Sequence, residues 1–281
     1  MSTYLFPAVF AFSLSLGLTF LALKFFPALG LMDRPHKYGL QRKPIPYYGG
    51  LVLYVAFVVS TFLFVKMDVH LVGLLAGATL IMVVSFLDDL YGLSPWLRLG
   101  VQLIAALILV FAGIGIHSIS NPLGDPFTLD TFITTVTLDK VYTISILSAL
   151  FTIVWVMGLV NTMNWMDGLN GLPSGITVIA SCIIFLLSIR PDIHQDLSSQ
   201  VSVATLSIIL AACTLAFWLF DFHPAKILMG DTGSMFLGFL LATLAIFSGG
   251  KVATAFLVLG FPILDAAWVI MRRILQKKSP L

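Results

Sequence analysis

The chain has 281 residues, 59% of them hydrophobic and only 10% charged, with a net charge of +2. A soluble domain carries about 25% charged residues, so a water-soluble fold is excluded and a polytopic membrane protein is left. That net charge says little by itself, and no nucleic-acid partner is expected.

A membrane span needs roughly 20 mostly apolar residues. Nine segments qualify, at about 3–30, 49–66, 71–87, 98–116, 141–160, 172–189, 200–220, 234–249 and 252–271. The predicted class is an all-α polytopic membrane protein of about nine transmembrane helices, forming one domain over 1–281. The first segment is long and lacks a small-residue cleavage site, so it is expected to be a span and not a signal peptide. Cys182 and Cys213 lie inside spans as small apolar fillers, with neither disulfide nor metal spacing. In the loop 117–140, the turn signal Asn121-Pro122-Leu123-Gly124-Asp125-Pro126 precedes β-branched residues, which predicts a small β-hairpin.

Sidedness follows from the cations. With nine spans, one face receives Arg34, Lys37, Arg42, Lys43, Arg98, Lys226, Arg272, Arg273, Lys277 and Lys278, with Lys24 close by. The other receives only Lys66, Lys140, Arg190 and Lys251. The positive-inside rule makes the first face cytoplasmic. The N-terminus is then outside and the C-terminus inside. Three polar stretches share the cytoplasmic face with the Pro-rich loop Lys43-Pro44-Ile45-Pro46-Tyr47-Tyr48-Gly49-Gly50. They are Asp88-Asp89, Asn161 to Gly171, and Met229-Gly230-Asp231-Thr232-Gly233-Ser234.

Carboxylates at span ends are tolerated where water, metal or substrate meets them. Asp88 and Asp89 repel each other unless a cation lies near or one takes a proton. They read either as metal and acid–base groups or as two solvated helix-end carboxylates. Asn161, Asn164, Asp167 and Asn170 recur every three residues, which places a drifting polar stripe on one helix face. Their oxygens are hard ligands suited to Mg²⁺, and they can equally hydrogen-bond a nucleobase or ribose. Asp231 is placed to cap a span beginning near Ser234 or to ligate Mg²⁺. Lys226 can pair with phosphate. Asp265, inside the last span, reads as a structural carboxylate with a partner on a neighbouring helix.

Taken in order, these motifs resemble the polyprenyl-phosphate N-acetylhexosamine-1-phosphate transferases. These integral membrane enzymes start cell-wall, teichoic-acid and O-antigen glycan assembly. The resemblance runs from Pro44-Ile45-Pro46 and Gly49-Gly50 through Asp88-Asp89, Asn161 to Gly171 and Pro224 to Ser234, and ends with Pro262, Asp265 and Arg272-Arg273. It implies that a polyprenyl phosphate attacks the β-phosphorus of a UDP-N-acetylhexosamine, releasing UMP, with Mg²⁺ as cofactor and Mn²⁺ as the alternative ion. UDP-GlcNAc is the favoured donor. It further implies Asp88 and Asp89 as catalytic residues, Asn164 and Asp231 as metal ligands, and Asn161, Asp167, Asn170, Asp221 and Lys226 as substrate contacts. A bacterial or archaeal plasma membrane is the expected location, with membrane lipids and a second copy of the chain as partners.

Departures from the family pattern fall at Asp221, often Asn, at Asn170, often Asp, and in the run His36 to Lys43. The family also continues into a His-containing loop and a further span, which this chain is expected to lack. Three other readings stand beside the first: a transferase using UDP-MurNAc-pentapeptide, an Asp-rich prenyltransferase, and an inactive binding or transport protein. Paired repeats of Asp at four-residue spacing, needed for the prenyltransferase, are absent from the sequence.

Overall fold

The computed structural model describes residues 2–39, 41–119, 125–131, 133–137, 141–191 and 197–248, and near the C-terminus residues 260, 263, 264, 268, 271–273, 275 and 276. The expected last span, with Pro262 and Asp265, lies largely outside the described residues, as do Lys277 and Lys278. Among the described residues eight long helices are found. They are α1 (Ser2–Phe25), α2 (Gly50–Phe64), α3 (Val69–Tyr91), α4 (Pro95–Phe111), α5 (Ile146–Met166), α6 (Leu172–Ser188), α7 (Leu197–Asp221) and α8 (Gly230–Phe247). Helices α1, α3, α5, α7 and α8 are long and apolar enough to cross a membrane, while α2, α4 and α6 are shorter apolar helices.

The helix ends follow from local chemistry. Asp68 caps α3 by accepting a hydrogen bond from Leu71 N at 2.7 Å. Gly92, with φ of 68°, ends α3 in the left-handed conformation that suits glycine. Pro95 opens α4, and Pro173 sits in the first turn of α6.

Two departures from the sequence expectation are local. In place of one hairpin over 117–140 there are two antiparallel pairs: β1 (Ser118–Ile119) with β2 (Phe127–Thr128), and β3 (Ile133–Thr137) with β4 (Val141–Ser145). The span expected from residue 141 therefore begins at Ile146. Val141, Thr143 and Ile144 are β-branched and favour the pleated strand, and the Ser145 hydroxyl then caps α5. Helix α8 begins at Gly230, four residues before the expected start at Ser234.

Helix α8 is the centre of the bundle, touching α2, α3, α5, α6 and α7. Every residue from Thr232 to Ile246 is buried, as expected of a helix surrounded on all sides. Small residues let backbones meet. A methyl group on Gly50 would stand 2.2 Å from Gly233 N, so the first turns of α2 and α8 cross almost backbone to backbone.

Because successive helices alternate in direction, the connections 26–49, 92–94, 167–171 and 222–229 gather at one end of the bundle. The Pro-rich loop is stitched there. Asp33 N donates to Ile45 O and Tyr47 N to Leu31 O, while Leu228 N donates to Pro46 O and Gly50 N to Met229 O.

Candidate active site

At that end lies a cavity of about 620 Å³, a size suited to a nucleotide-sized ligand. Its lining includes Asp33, Arg34, Arg42, Tyr47, Tyr48, Asp88, Asp89, Tyr91, Asn164, Asp167, Gly168, Asn170 and Asp231. Six of the side chains singled out from the sequence thus converge: Asp88 and Asp89 from the end of α3, Asn164 from α5, Asp167 and Asn170 from the turn after it, and Asp231 from the start of α8.

Asp88 is not a solvated helix-end carboxylate. It is 8% exposed, and α3 continues past it to Tyr91. Its Oδ1 accepts from Leu93 N at 2.6 Å, and its Oδ2 from Arg98 Nη1 at 2.7 Å. The same Arg98 nitrogen lies 2.9 Å from Asp231 Oδ2, so one guanidinium nitrogen bridges carboxylates of α3 and α8.

Asp231 does not cap its own helix. The amides of Asp231 and Thr232 donate instead to Asp89, at 3.1 and 2.9 Å, and the Thr232 hydroxyl donates to Asp89 Oδ2 at 2.5 Å. Asp89 is therefore an N-terminal cap supplied from another helix. It satisfies donors that α8 would otherwise leave free, while the Asp231 side chain accepts from Arg98. The phenol of Tyr47 donates to Asp89 Oδ1 at 3.1 Å. Asn164 donates to Ser234 Oγ at 3.1 Å, which fixes α5 against the first turn of α8.

The electrostatics are those of a carboxylate cluster. Asp167, just past the end of α5, is pushed well above the ordinary carboxylate range, first by burial and then by Asp221, Asp231 and Asp89. The Tyr47 phenol is pushed up by burial and by the charges of Asp89, Asp231 and Asp167, so it stays a neutral donor. Tyr48 holds a φ of 71°, a left-handed conformation uncommon for a non-glycine residue. Its ring packs edge-on against Tyr47 and Phe86.

Asn161, Asp221 and Lys226 do not line this cavity. Asn161 exchanges hydrogen bonds with Gln102 and donates to Met157 O. Asp221, 1% exposed, accepts from Ser174 Oγ at 2.6 Å. The Lys226 ammonium lies 5.9 Å from the Phe220 ring centroid. Conversely, Arg98 and Tyr47 were not singled out as site residues from the sequence. Both are adjacent to motifs, yet only the folded chain brings them to Asp88 and Asp89.

The donor set fits a hard divalent cation of the substrate-completed kind. Among the described residues no three His, Cys, Asp or Glu side chains form a metal cage. Two carboxylate oxygens, from Asp88 and Asp231, nonetheless converge on a single cationic nitrogen. Mg²⁺ takes just this kind of site: one or two carboxylates, with substrate phosphates and water completing the shell.

The sequence profile of glycosyl transferase family 4 matches residues 71–249, from α3 to just past α8. A probable undecaprenyl-phosphate N-acetylglucosaminyl 1-phosphate transferase of Bacillus subtilis is 30% identical over 257 residues, covering 89% of this chain and 66% of the relative. A decaprenyl-phosphate N-acetylglucosaminephosphotransferase of Mycobacterium tuberculosis is 31% identical over 238 residues, covering 80% and 55%. A phospho-N-acetylmuramoyl-pentapeptide-transferase of Lactobacillus johnsonii is 32% identical over 230 residues, covering 77% and 66%. The chain thus spans 55% to 66% of the length of these relatives. The apolar helices and these relatives make it a membrane-embedded protein, and the chain belongs to glycosyl transferase family 4, the polyprenyl-phosphate hexosamine-1-phosphate transferases.

Proposed function

We propose that this protein transfers N-acetylhexosamine 1-phosphate, with GlcNAc-1-phosphate favoured, from a UDP-sugar to a polyprenyl phosphate. An oxygen of the lipid phosphate forms a bond to the β-phosphorus of the donor. The bond from that phosphorus to the bridging oxygen breaks, and UMP leaves with the electron pair. The observation that carries this reading is the convergence of Asp88, Asp89, Asn164, Asp167 and Asp231 on one cavity at a helix-bundle end.

Phosphoryl transfer needs positioning and charge neutralisation more than covalent chemistry. Asp88, Asp231 and Asn164 would hold Mg²⁺, which when bound supplies Lewis-acid neutralisation of the diphosphate. Asp89 fixes the start of α8 and so the direction of Asp231. Asp167 and Asn170 are available to the nucleoside. Arg34 and Arg42, on the cavity wall formed by the Pro-rich loop, carry the positive charge that holds anionic donors. The cation distribution supports a cytoplasmic orientation for this end, where the lipid phosphate would lie at headgroup level.

UMP release by protein in detergent, given UDP-GlcNAc and polyprenyl phosphate with Mg²⁺, tests the reading. Release is expected to require the lipid and to stop with chelator. Folded protein that releases no UMP from any UDP-hexosamine refutes it. Release from UDP-MurNAc-pentapeptide alone moves the protein to the muramoyl branch, to which the Lactobacillus johnsonii relative belongs.

A further inference from the structure

We infer that Arg98 is a built-in counter-cation, which holds Asp88 and Asp231 together when no divalent cation is bound and is displaced when one binds. The inference rests on the metal-dependent reading above and deepens it.

The geometry is specific. Arginine usually meets a carboxylate through two parallel N–H bonds. Here one nitrogen, Nη1, serves two carboxylates on different helices, at 2.7 and 2.9 Å. It occupies the point between two carboxylate oxygens that a small hard cation would take. Asp88 cannot turn away, because Leu93 N holds its other oxygen. Its side chain is 7% exposed, so water does little to screen it. Asp89 adds a further carboxylate to the same cavity. Without a compensating cation these carboxylates would drive the ends of α3 and α8 apart.

The guanidinium supplies one positive charge permanently attached to the start of α4. A divalent ion supplies two at the same oxygens. Both cannot occupy that point, so the ion must displace Nη1. Arg98 therefore weakens metal binding by competition while stabilising the metal-free protein. A purely structural arginine would do the second without the first.

The test compares wild type with Arg98→Gln and Arg98→Lys in detergent, by Mn²⁺ binding followed through electron paramagnetic resonance and by thermal unfolding without metal. Arg98→Gln should bind Mn²⁺ at least about tenfold more tightly than wild type, equivalent to ~1.4 kcal/mol. It should also melt at lower temperature without metal and gain more from Mn²⁺ than wild type does. Arg98→Lys, which keeps the charge, should fall between the two. Unchanged or weaker Mn²⁺ binding by folded Arg98→Gln overturns the inference while leaving the metal reading intact. No Mn²⁺ binding by any form overturns the metal reading itself.

The double variant Asp88→Asn with Arg98→Gln guards against misfolding of the single variant. Removing both charges should restore much of the metal-free stability lost in Arg98→Gln. A double variant no more stable than the single one refutes the counter-charge role.

Discussion

Replacing Asp89 by alanine removes a helix cap that comes from the opposite side of the site. Losing an aspartate cap costs about 1–2 kcal/mol. The Thr232 hydroxyl, fully buried and donating to Asp89 Oδ2, also loses its acceptor, and a buried group left unsatisfied costs about 1–3 kcal/mol. Removing one negative charge beside Asp231 gives some of this back, so the net expectation is a loss of about 2–4 kcal/mol. Unfolding in mixed micelles with increasing dodecyl sulfate, followed by circular dichroism, measures it. Asp89→Asn keeps an acceptor oxygen for the α8 amides and should lose about half as much. Turnover should fall by orders of magnitude in both variants, because the carboxylate charge is lost in each and Asp231 is aimed by the cap. Wild-type stability in Asp89→Ala would show that α8 starts without help from α3, and the reasoning would fail.

Asp231→Asn should abolish UMP release while leaving the melting temperature close to that of wild type; near-normal turnover would remove Asp231 from the metal site. The raised Asp167 gives a pH signature. Between the ordinary carboxylate range and its raised value, folded protein keeps a proton that unfolded protein has lost. Metal-free stability should therefore be greatest below that range and fall as pH rises through the folded value. Asp167→Asn should flatten the slope, and melting curves taken at increasing pH above the ordinary carboxylate range decide it. Gly50→Ala would press a methyl group onto the backbone of Gly233 at 2.2 Å, where nothing flexible can yield. A loss of about 1–3 kcal/mol is expected, and a stable, active variant would mean that the two first turns can separate.

Much of this molecule is legible in its hydropathy. The apolar runs mark all eight described helices, because burial in lipid or protein demands long apolar segments and closed backbone hydrogen bonding. The errors fall at ends, where neighbours decide. Gly230-Asp231-Thr232-Gly233 reads as a loop by composition, yet it is helical because Asp89, 142 positions earlier, satisfies its amides. At 141–145 the β-branched residues pair with Ile133–Thr137, a local preference that apolarity alone hides. Within the site, spacing brought Asn164, Asp167 and Asn170 forward, and all three line the cavity. It brought Asn161 forward as well, although its amide is engaged by Gln102. Arg98 reads as one more cytoplasmic cation. Its reach back to Asp88 depends on the turn at Gly92–Ser94 and the direction of α4, neither of which a motif encodes.

The complete enclosure of α8 bears on how the protein is made. Of the five candidate spans it is the least apolar and the most deeply buried, so it is poorly suited to wait alone among lipid tails. Among the described residues, the helices it packs against most, α2, α3, α5, α6 and α7, precede it in the chain. During synthesis they emerge first, and the socket can assemble before its plug arrives. The carboxylate on the first turn of α8 then enters a place already furnished with Asp89 and Arg98. The order of the sequence thus spares the bilayer a helix it would accept badly, and the carboxylates of the site come together once α8 joins the helices made before it.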